Sequence, residues 1–224
     1  MINSTATPVA NSGWKIPMNE QKSVLKIGIA GLGVVGGEVA RQLTARGAAL
    51  GAAAGCALQL VAVAARDRTA DRGFDASAMI WLENAADMVA IDELDIIVEM
   101  IGGSEGVALD LVRSALSAGK HVVTANKALL AHHGAELAGL AEENDVGLLF
   151  EASVAGGIPV VRVLRDSLAG VEIKRVAGIL NGTCNFLTTE MLATGRAYDE
   201  VLAEAQKLGY AEAEPGWLSK EVPA

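Results

Sequence analysis

Aromatic side chains make up only 4% of this sequence, and cysteine occurs twice, at Cys56 and Cys184. The shortage of rings, in a chain that is 51% hydrophobic, leaves an aliphatic core of Ala, Val, Leu and Ile. Two cysteines cannot build the disulfide framework of a small secreted domain. Basic residues are the minority charge, 18 against 27 acidic. The resulting net charge of −9 argues against nucleic acid or an anionic membrane surface as the main partner. No uninterrupted apolar run approaches the roughly 18 residues of a spanning helix. The stretch from Ala48 to Leu58 is too short and too rich in Gly and Ala for that role. The N-terminus lacks a basic region followed by an apolar one, so no secretion signal is read and the expected location is cytoplasmic. Residues 1–23 form an expected disordered extension, polar with Pro and Ser/Thr near its start.

What the chain does contain is a strand that turns on glycines into a helix. Residues from Lys26 to Ala30 are short and apolar, as a buried parallel strand should be. Gly31-Leu32-Gly33-Val34-Val35-Gly36 follows in G-x-G-x-x-G spacing, and apolar residues then recur at helical intervals to Arg46. In that context the motif predicts a dinucleotide-binding turn. Gly31 permits the tight turn, Gly33 lets a diphosphate approach the backbone, and Gly36 lets the helix pack close to the strand. The first-turn N–H groups of the helix have no intrahelical partner and favour an anion. Gly47 is the expected C-terminal stop of this helix.

Strands are expected near residues 58–65, 80–81, 96–100, 121–124 and 146–150, with helices near 84–89, 107–118 and from 125 onward. A further helix reaches about Leu168. This alternation predicts an α/β fold, a Rossmann-type doubly wound parallel sheet over residues 24–152. From about Val171 the character changes. A longer strand is expected from Val171 to Leu180, then helices through about Ala193 and from Tyr198 to Leu208. Residues 153–224 are read as an incomplete second α+β domain for substrate binding and dimerisation.

Several side chains could carry chemistry. The second strand ends in Ala65-Arg66-Asp67-Arg68. The two arginines suit the 2′-phosphate of NADP, while Asp67 suits the free 2′-hydroxyl of NAD; NADP is favoured and NAD remains the alternative. The loop Ile101-Gly102-Gly103-Ser104 stands at the carboxyl end of a strand, where ligands of such sheets bind. Lys127 follows the next strand, in a first helical turn that disfavours a cation, and this local misfit marks it as functional. Its ammonium could orient a carboxylate or lend a proton to an oxygen. Glu151, with carbonyls of the turn from Val154 to Ile158, suits a hard cation, although a helix-capping carboxylate is the simpler reading. Cys184 could be a nucleophile, but with no histidine near it in sequence it reads as a small core residue. His132-His133 reads as an exposed helix face.

Five motifs, taken together, resemble the homoserine dehydrogenase family. They are Gly31 to Gly36, Thr124-Ala-Asn-Lys-Ala-Leu129, Glu151-Ala-Ser-Val-Ala-Gly-Gly-Ile-Pro159, Ile179-Leu-Asn-Gly-Thr-Cys-Asn-Phe186 and Ala203 to Pro215. The resemblance covers residues 24–215 and implies reversible NAD(P)-dependent reduction of L-aspartate 4-semialdehyde to L-homoserine, on the branch to threonine, methionine and isoleucine. It implies that Gly31, Leu32, Gly33, Val34, Val35, Gly36, Arg66, Gly102, Gly103 and Ser104 hold the cofactor. Lys127 would contact cofactor and substrate. Gly182, Thr183, Tyr210 and Glu212 would bind the amino-acid end of the substrate, with Lys127 and Glu212 as the catalytic residues. Glu151 with the carbonyls of Val154, Gly156 and Ile158 would match a sodium site. A homo-oligomer is implied for the family. The family continues past this proline into Asp-Val-x-Gly-x-Asp-x-x-x-Lys, whose lysine is regarded as the proton donor to the carbonyl oxygen. Here Glu214 replaces the usual Asp and residues 216–224 depart from that pattern. The expectation is a chain truncated relative to the family, with weak turnover despite cofactor binding. A non-catalytic nucleotide-binding module and a Cys184-dependent semialdehyde dehydrogenase are the alternative readings.

Overall fold

Alternate residues of the central strands face opposite sides of one sheet, and both sides are apolar. In β1 (Val24–Ala30), Ile27 and Ile29 join one cluster, whereas Ala30 joins the other. In β4 (Ile96–Glu99), Val98 and Ile97 divide in the same way. Two covered faces need helices on both, which is the condition for a parallel sheet. The computed structural model, which describes residues 22–177 and 182–208, contains that arrangement. The remaining strands are β2 (Ala57–Ala64), β3 (Ile80–Leu82), β5 (His121–Thr124) and β6 (Leu148–Leu149). All neighbours pair in parallel, in the order β3-β2-β1-β4-β5-β6. The order reverses between β1 and β4, which opens a crevice at their carboxyl ends.

One face carries α1 (Val34–Ala54); the cluster there includes Ala40, Val39 and Leu43 with Ile29, Val63 and Val98. The other carries α2 (Val107–Ser117) and α3 (Lys127–Glu143). The stripe Leu109, Val112 and Leu116 of α2 is buried with Leu129 and Leu137 of α3 against Ile97 and Val122. A 3-10 turn, Ala85–Ala90, puts Met88 so close to β1 that a Cβ on Gly28 would lie 2.6 Å from its sulfur. After β6 come a 3-10 turn at Glu151–Ser153 and a short helix, α4 (Val160–Arg162), which widens into a π-helical turn over Val163–Ser167.

The chain divides into two compact units, the first ending at Gly170 and the second beginning at Val171. The second unit contains α5 (Gly182–Thr194) and α6 (Tyr198–Lys207), which bury Leu187, Val201 and Ala205 together.

Three expectations are corrected. Gly47 does not stop α1. The helix bends at Arg46 (φ −121°, ψ 15°) and ends at Gly55, whose φ of +76° is the left-handed value that a glycine stop needs. Beyond the bend, α1 lies on the start of β2, where a Cβ on Gly51 would sit 2.9 Å from the Cys56 carbonyl oxygen. The strand expected from Val171 to Leu180 is absent from residues 171–177, and residues 178–181 lie outside the described set. A strand requires a ladder partner, and the described part of the second unit contains no other strand. The last strand of the sheet is two residues long, shorter than the span 146–150.

Candidate functional site

The glycine turn is specified by sterics on both sides. Gly31 has φ +94°, its N–H donates to the Ala64 carbonyl at 2.8 Å, and a Cβ there would lie 2.6 Å from the Met100 carbonyl oxygen. Gly36, in the first turn of α1, leaves even less room: a Cβ would lie 1.9 Å from the Gly31 carbonyl oxygen. Gly33 differs, because no atom lies within 4 Å of where its Cβ would be. Packing does not demand glycine at that position. Gly33 is also the N-cap of α1 and supplies no side-chain acceptor, and the first turn carries no acid. The orphan N–H groups of this turn are therefore left for an external anion. Leu32 is buried, whereas Val34 and Val35 are 94% and 56% exposed at the crevice.

Beyond β2, Arg66, Asp67 and Arg68 are exposed. The Asp67 Oδ1 accepts from the Thr69 hydroxyl at 2.7 Å and the Thr69 N–H at 2.8 Å. These bonds hold its carboxyl below the usual aspartate range. Arg72, which no local motif marks, ties this segment to the glycine turn. Its Nε donates to the Leu32 carbonyl at 3.0 Å, while its other nitrogens donate to the carbonyls of Asp67 (2.5 Å) and Ala70 (2.9 Å). Arg68 and Arg72 both lie over Trp81, 5.7 and 5.5 Å from the ring centroid. A cleft of about 330 Å³ is lined by Arg68, Arg72, Phe74, Ser77 and Trp81, among others. A tryptophan in a three-residue strand after an arginine-rich loop was the available signal.

Across the reversal point, Glu99 ends β4 with no exposed surface. Its Oε1 accepts from the N–H groups of Ile101 (2.8 Å) and Gly102 (3.0 Å), and its Oε2 from the Thr124 hydroxyl (2.5 Å). Gly102 and Gly103 take φ +85° and +84°, and Ser104 is half-buried. Thr124 Oγ1 accepts from the Asn126 N–H at 3.0 Å. The Asn126 amide nitrogen donates to the Gly103 carbonyl at 2.6 Å, and its Oδ1 accepts from the Leu129 N–H at 3.0 Å, capping α3. Lys127 is the first residue of that helix and is exposed. The loop Gly102–Ser104 and the turn carrying Lys127, expected to work together, are thus joined through Asn126. The buried residues that join them, Glu99 and Thr124, were not among the expected site residues.

Glu151 lies in the 3-10 turn after β6. Its Oε2 accepts from the Arg162 N–H at 3.0 Å, whereas its Oε1 is buried and has no hydrogen-bond partner. The following turn is strained: Ala155, a non-glycine residue, has φ +56°, followed by Gly156 at +33° and Gly157 at +83°. The Ile158 carbonyl accepts from the Val160 N–H at 2.8 Å. No group of three His, Cys, Asp or Glu side chains among the described residues could hold a metal. One carboxylate surrounded by backbone carbonyls would not form such a group.

In the second unit, Gly182 opens α5 and is exposed, and Thr183 is half-buried. Cys184 packs against the Leu187, Val201 and Ala205 cluster, the small-core role. Tyr210 and Glu212 lie outside the described residues. Among the described residues no helix is long and apolar enough to cross a membrane.

Comparison with known proteins agrees with this architecture. Residues 31–151 match the family model described as homoserine dehydrogenase, NAD binding domain, and residues 159–217 match the model described as homoserine dehydrogenase. The homoserine dehydrogenase of Corynebacterium glutamicum is 48% identical over 193 residues, 86% of this chain and 43% of that protein. The crystal structure of a homoserine dehydrogenase from Thiobacillus denitrificans superimposes with a TM-score of 0.76 at 42% identity, covering 87% of this chain and 44% of that one. A hyperthermophilic archaeal homoserine dehydrogenase in complex with NADPH gives a TM-score of 0.72 at 27% identity, covering 86% and 64%. The chain spans less than half the length of the curated relatives it matches. With a family model covering more than half of its residues and relatives this similar, the chain belongs to the homoserine dehydrogenase family.

Proposed function

We propose that this chain binds NADP(H) in the crevice between β1 and β4 and serves the reduction of L-aspartate 4-semialdehyde to L-homoserine. The observation that carries the reading is the contrast among the three glycines. Gly31 and Gly36 are demanded by contacts within the protein, while Gly33 opens onto space at an uncapped helix start. A diphosphate fills that space and takes the orphan N–H groups of Val34 and Val35. Arg66, at the end of β2, is the residue for a 2′-phosphate. Asp67 has one carboxylate oxygen engaged by Thr69, which supports NADP over NAD.

When bound, the nicotinamide supplies a hydride. The carbonyl oxygen must also take up a proton. Residues 216–224 do not carry the lysine pattern that supplies it in the family, so turnover is weak, and the residues of this chain bind and orient. Gly102, Gly103 and Ser104 line the cofactor. Lys127 holds the substrate beside it and hydrogen-bonds the oxygen on which negative charge develops. Gly182, Thr183, Tyr210 and Glu212 bind the amino-acid end of the substrate, with the Glu212 carboxylate paired to its ammonium. These positions belong to the substrate-binding part, assigned to residues 153–224. Glu151, with the carbonyls of Val154, Gly156 and Ile158, fits a sodium ion; its buried, unpartnered Oε1 supports that assignment. The protein acts on a small molecule in the cytoplasm as a homo-oligomer.

Fluorescence titration with NADPH and NADH, run in sodium and in choline chloride, tests the reading. Saturable binding, tighter for NADPH and tighter in sodium, is expected. Failure of both nucleotides to bind overturns the cofactor reading, and equal affinity in the two salts overturns the sodium assignment.

A further inference from the structure

A carboxylate with no exposed surface is unfavourable in a parallel strand unless every acceptor is used. Strand β4 is otherwise apolar, with Ile97 and Val98 buried beside it, so packing alone would favour another aliphatic residue where Glu99 stands. The donors it gathers come from two separate segments: the amides of Ile101 and Gly102 on its own side, and the hydroxyl of Thr124 at the end of β5. From Thr124 the chain of bonds passes to the Asn126 amide, and from the Asn126 side chain back to the Gly103 carbonyl. The bonds close a ring through Glu99, Gly102, Gly103, Asn126 and Thr124. A further buried donor, the Ser153 hydroxyl, fixes the Thr124 carbonyl at 2.9 Å.

We propose that Glu99, acting with Thr124 and Asn126, is a positioning group that sets the Gly102–Ser104 loop against Lys127 for the nicotinamide half of the dinucleotide. This rests on the cofactor reading above. In a doubly wound sheet the two sets of strands each receive one mononucleotide. The glycine turn and the end of β2 belong to the adenosine side, whereas the ring of bonds lies wholly at the ends of β4 and β5. Its rupture therefore weakens the contacts of one half of the ligand and leaves the other half in place. A purely structural role has no such selectivity.

Asn126→Asp is the sharpest probe. It keeps an oxygen to cap α3, since aspartate caps as well as asparagine, and it replaces the donor to Gly103 with a second acceptor. Glu99→Ala removes the hub, and Glu99→Gln restores an acceptor for the two loop amides. Each variant is titrated with NADPH and with 2′,5′-ADP, which carries only the adenosine side, and its melting temperature is recorded. NADH and AMP take their place if the wild-type protein prefers NADH. The expected result is an NADPH Kd raised about tenfold by Asn126→Asp and further by Glu99→Ala. Glu99→Gln should recover part of the loss, and the Kd for 2′,5′-ADP should stay within about twofold throughout. The fluorescence gain of bound NADPH, which reports the nicotinamide surroundings, should fall in parallel. Unchanged NADPH affinity in Asn126→Asp, or equal losses for NADPH and 2′,5′-ADP, overturns the proposal while leaving the cofactor reading intact. Absence of NADPH and NADH binding by the wild-type protein removes that reading, and this inference with it.

Discussion

The two sides of the crevice are held by different chemistry. On the β1–β3 side, one half-buried arginine, Arg72, spans three backbone carbonyls, and its guanidinium lies over Trp81 near solvent. On the other side, at the ends of β4 and β5, the fully buried Glu99 carboxylate takes the amides of Ile101 and Gly102 and the buried Thr124 hydroxyl. An exposed polar link can be replaced by water at small cost, whereas a buried one cannot, because each orphaned group loses its full desolvation energy. The β1–β3 side is thus tolerant in its links and the side formed by the ends of β4 and β5 is not. Both depend on the glycine turn at the reversal of the sheet.

Substitution at that shared turn should have the largest effect. Gly36→Ala would place a methyl 1.9 Å from the Gly31 carbonyl oxygen, and backbone cannot swing aside as a side chain can. Loss of measurable NADPH binding and a fall of about 1–3 kcal/mol in unfolding free energy are expected, read by titration and urea denaturation. Wild-type affinity in this variant would show that the turn does not govern either side. Arg72→Gln should come next. It breaks the guanidinium links and should weaken NADPH and 2′,5′-ADP alike, about threefold to tenfold, with about 1 kcal/mol of stability lost. A loss confined to NADPH would erase the distinction between the two sides.

The smallest effect should come from the amino end of β5, at the far end of the same strands. His121 begins β5, and its Nδ1 accepts from the Gly147 N–H at 2.8 Å, which leaves the ring proton on Nε2. Burial, which disfavours the imidazolium, lowers its pKa from 6.5; Lys22 adds to the shift, while Asp95 and Asp145 oppose it. The unfolded chain therefore binds the proton more readily than the folded one. Stability is at its full value above the unfolded pKa and declines as pH falls through the lower folded value. Urea midpoints from about pH 7.5 to about pH 5 should show that decline, and His121→Asn should flatten it without changing NADPH affinity at pH 7.5. An unaltered slope in the variant would remove His121 as its source.

Much of the first unit could be read along the chain. The glycine turn was legible because φ, spacing and the apolar strand before it are local properties. The start of α3 was legible too, since Asn126 caps it through a bond to Leu129, three residues on. Arg72 and Glu99 were not. Arg72 meets Leu32 across 40 residues and Glu99 meets Thr124 across 25, so neither partner is visible in a window of sequence. Gly47 misled for a related reason: its composition suits a helix stop, but contact with β2 carries the helix on to Gly55. The segment after Val171 misled because β-forming residues become a strand only beside a partner.

Residue order alone was enough to dictate a doubly wound sheet, the place of its glycine turn, and a family whose motifs recur in order. Each of these depends on interactions reaching only a few residues, where spacing and side-chain type carry the information. Which polar groups became buried, and which loops they bound together, was settled when β4 and β5 paired and closed off water. Burial turns an ordinary glutamate into a hub, because a carboxylate removed from solvent must find its donors wherever the fold has brought them.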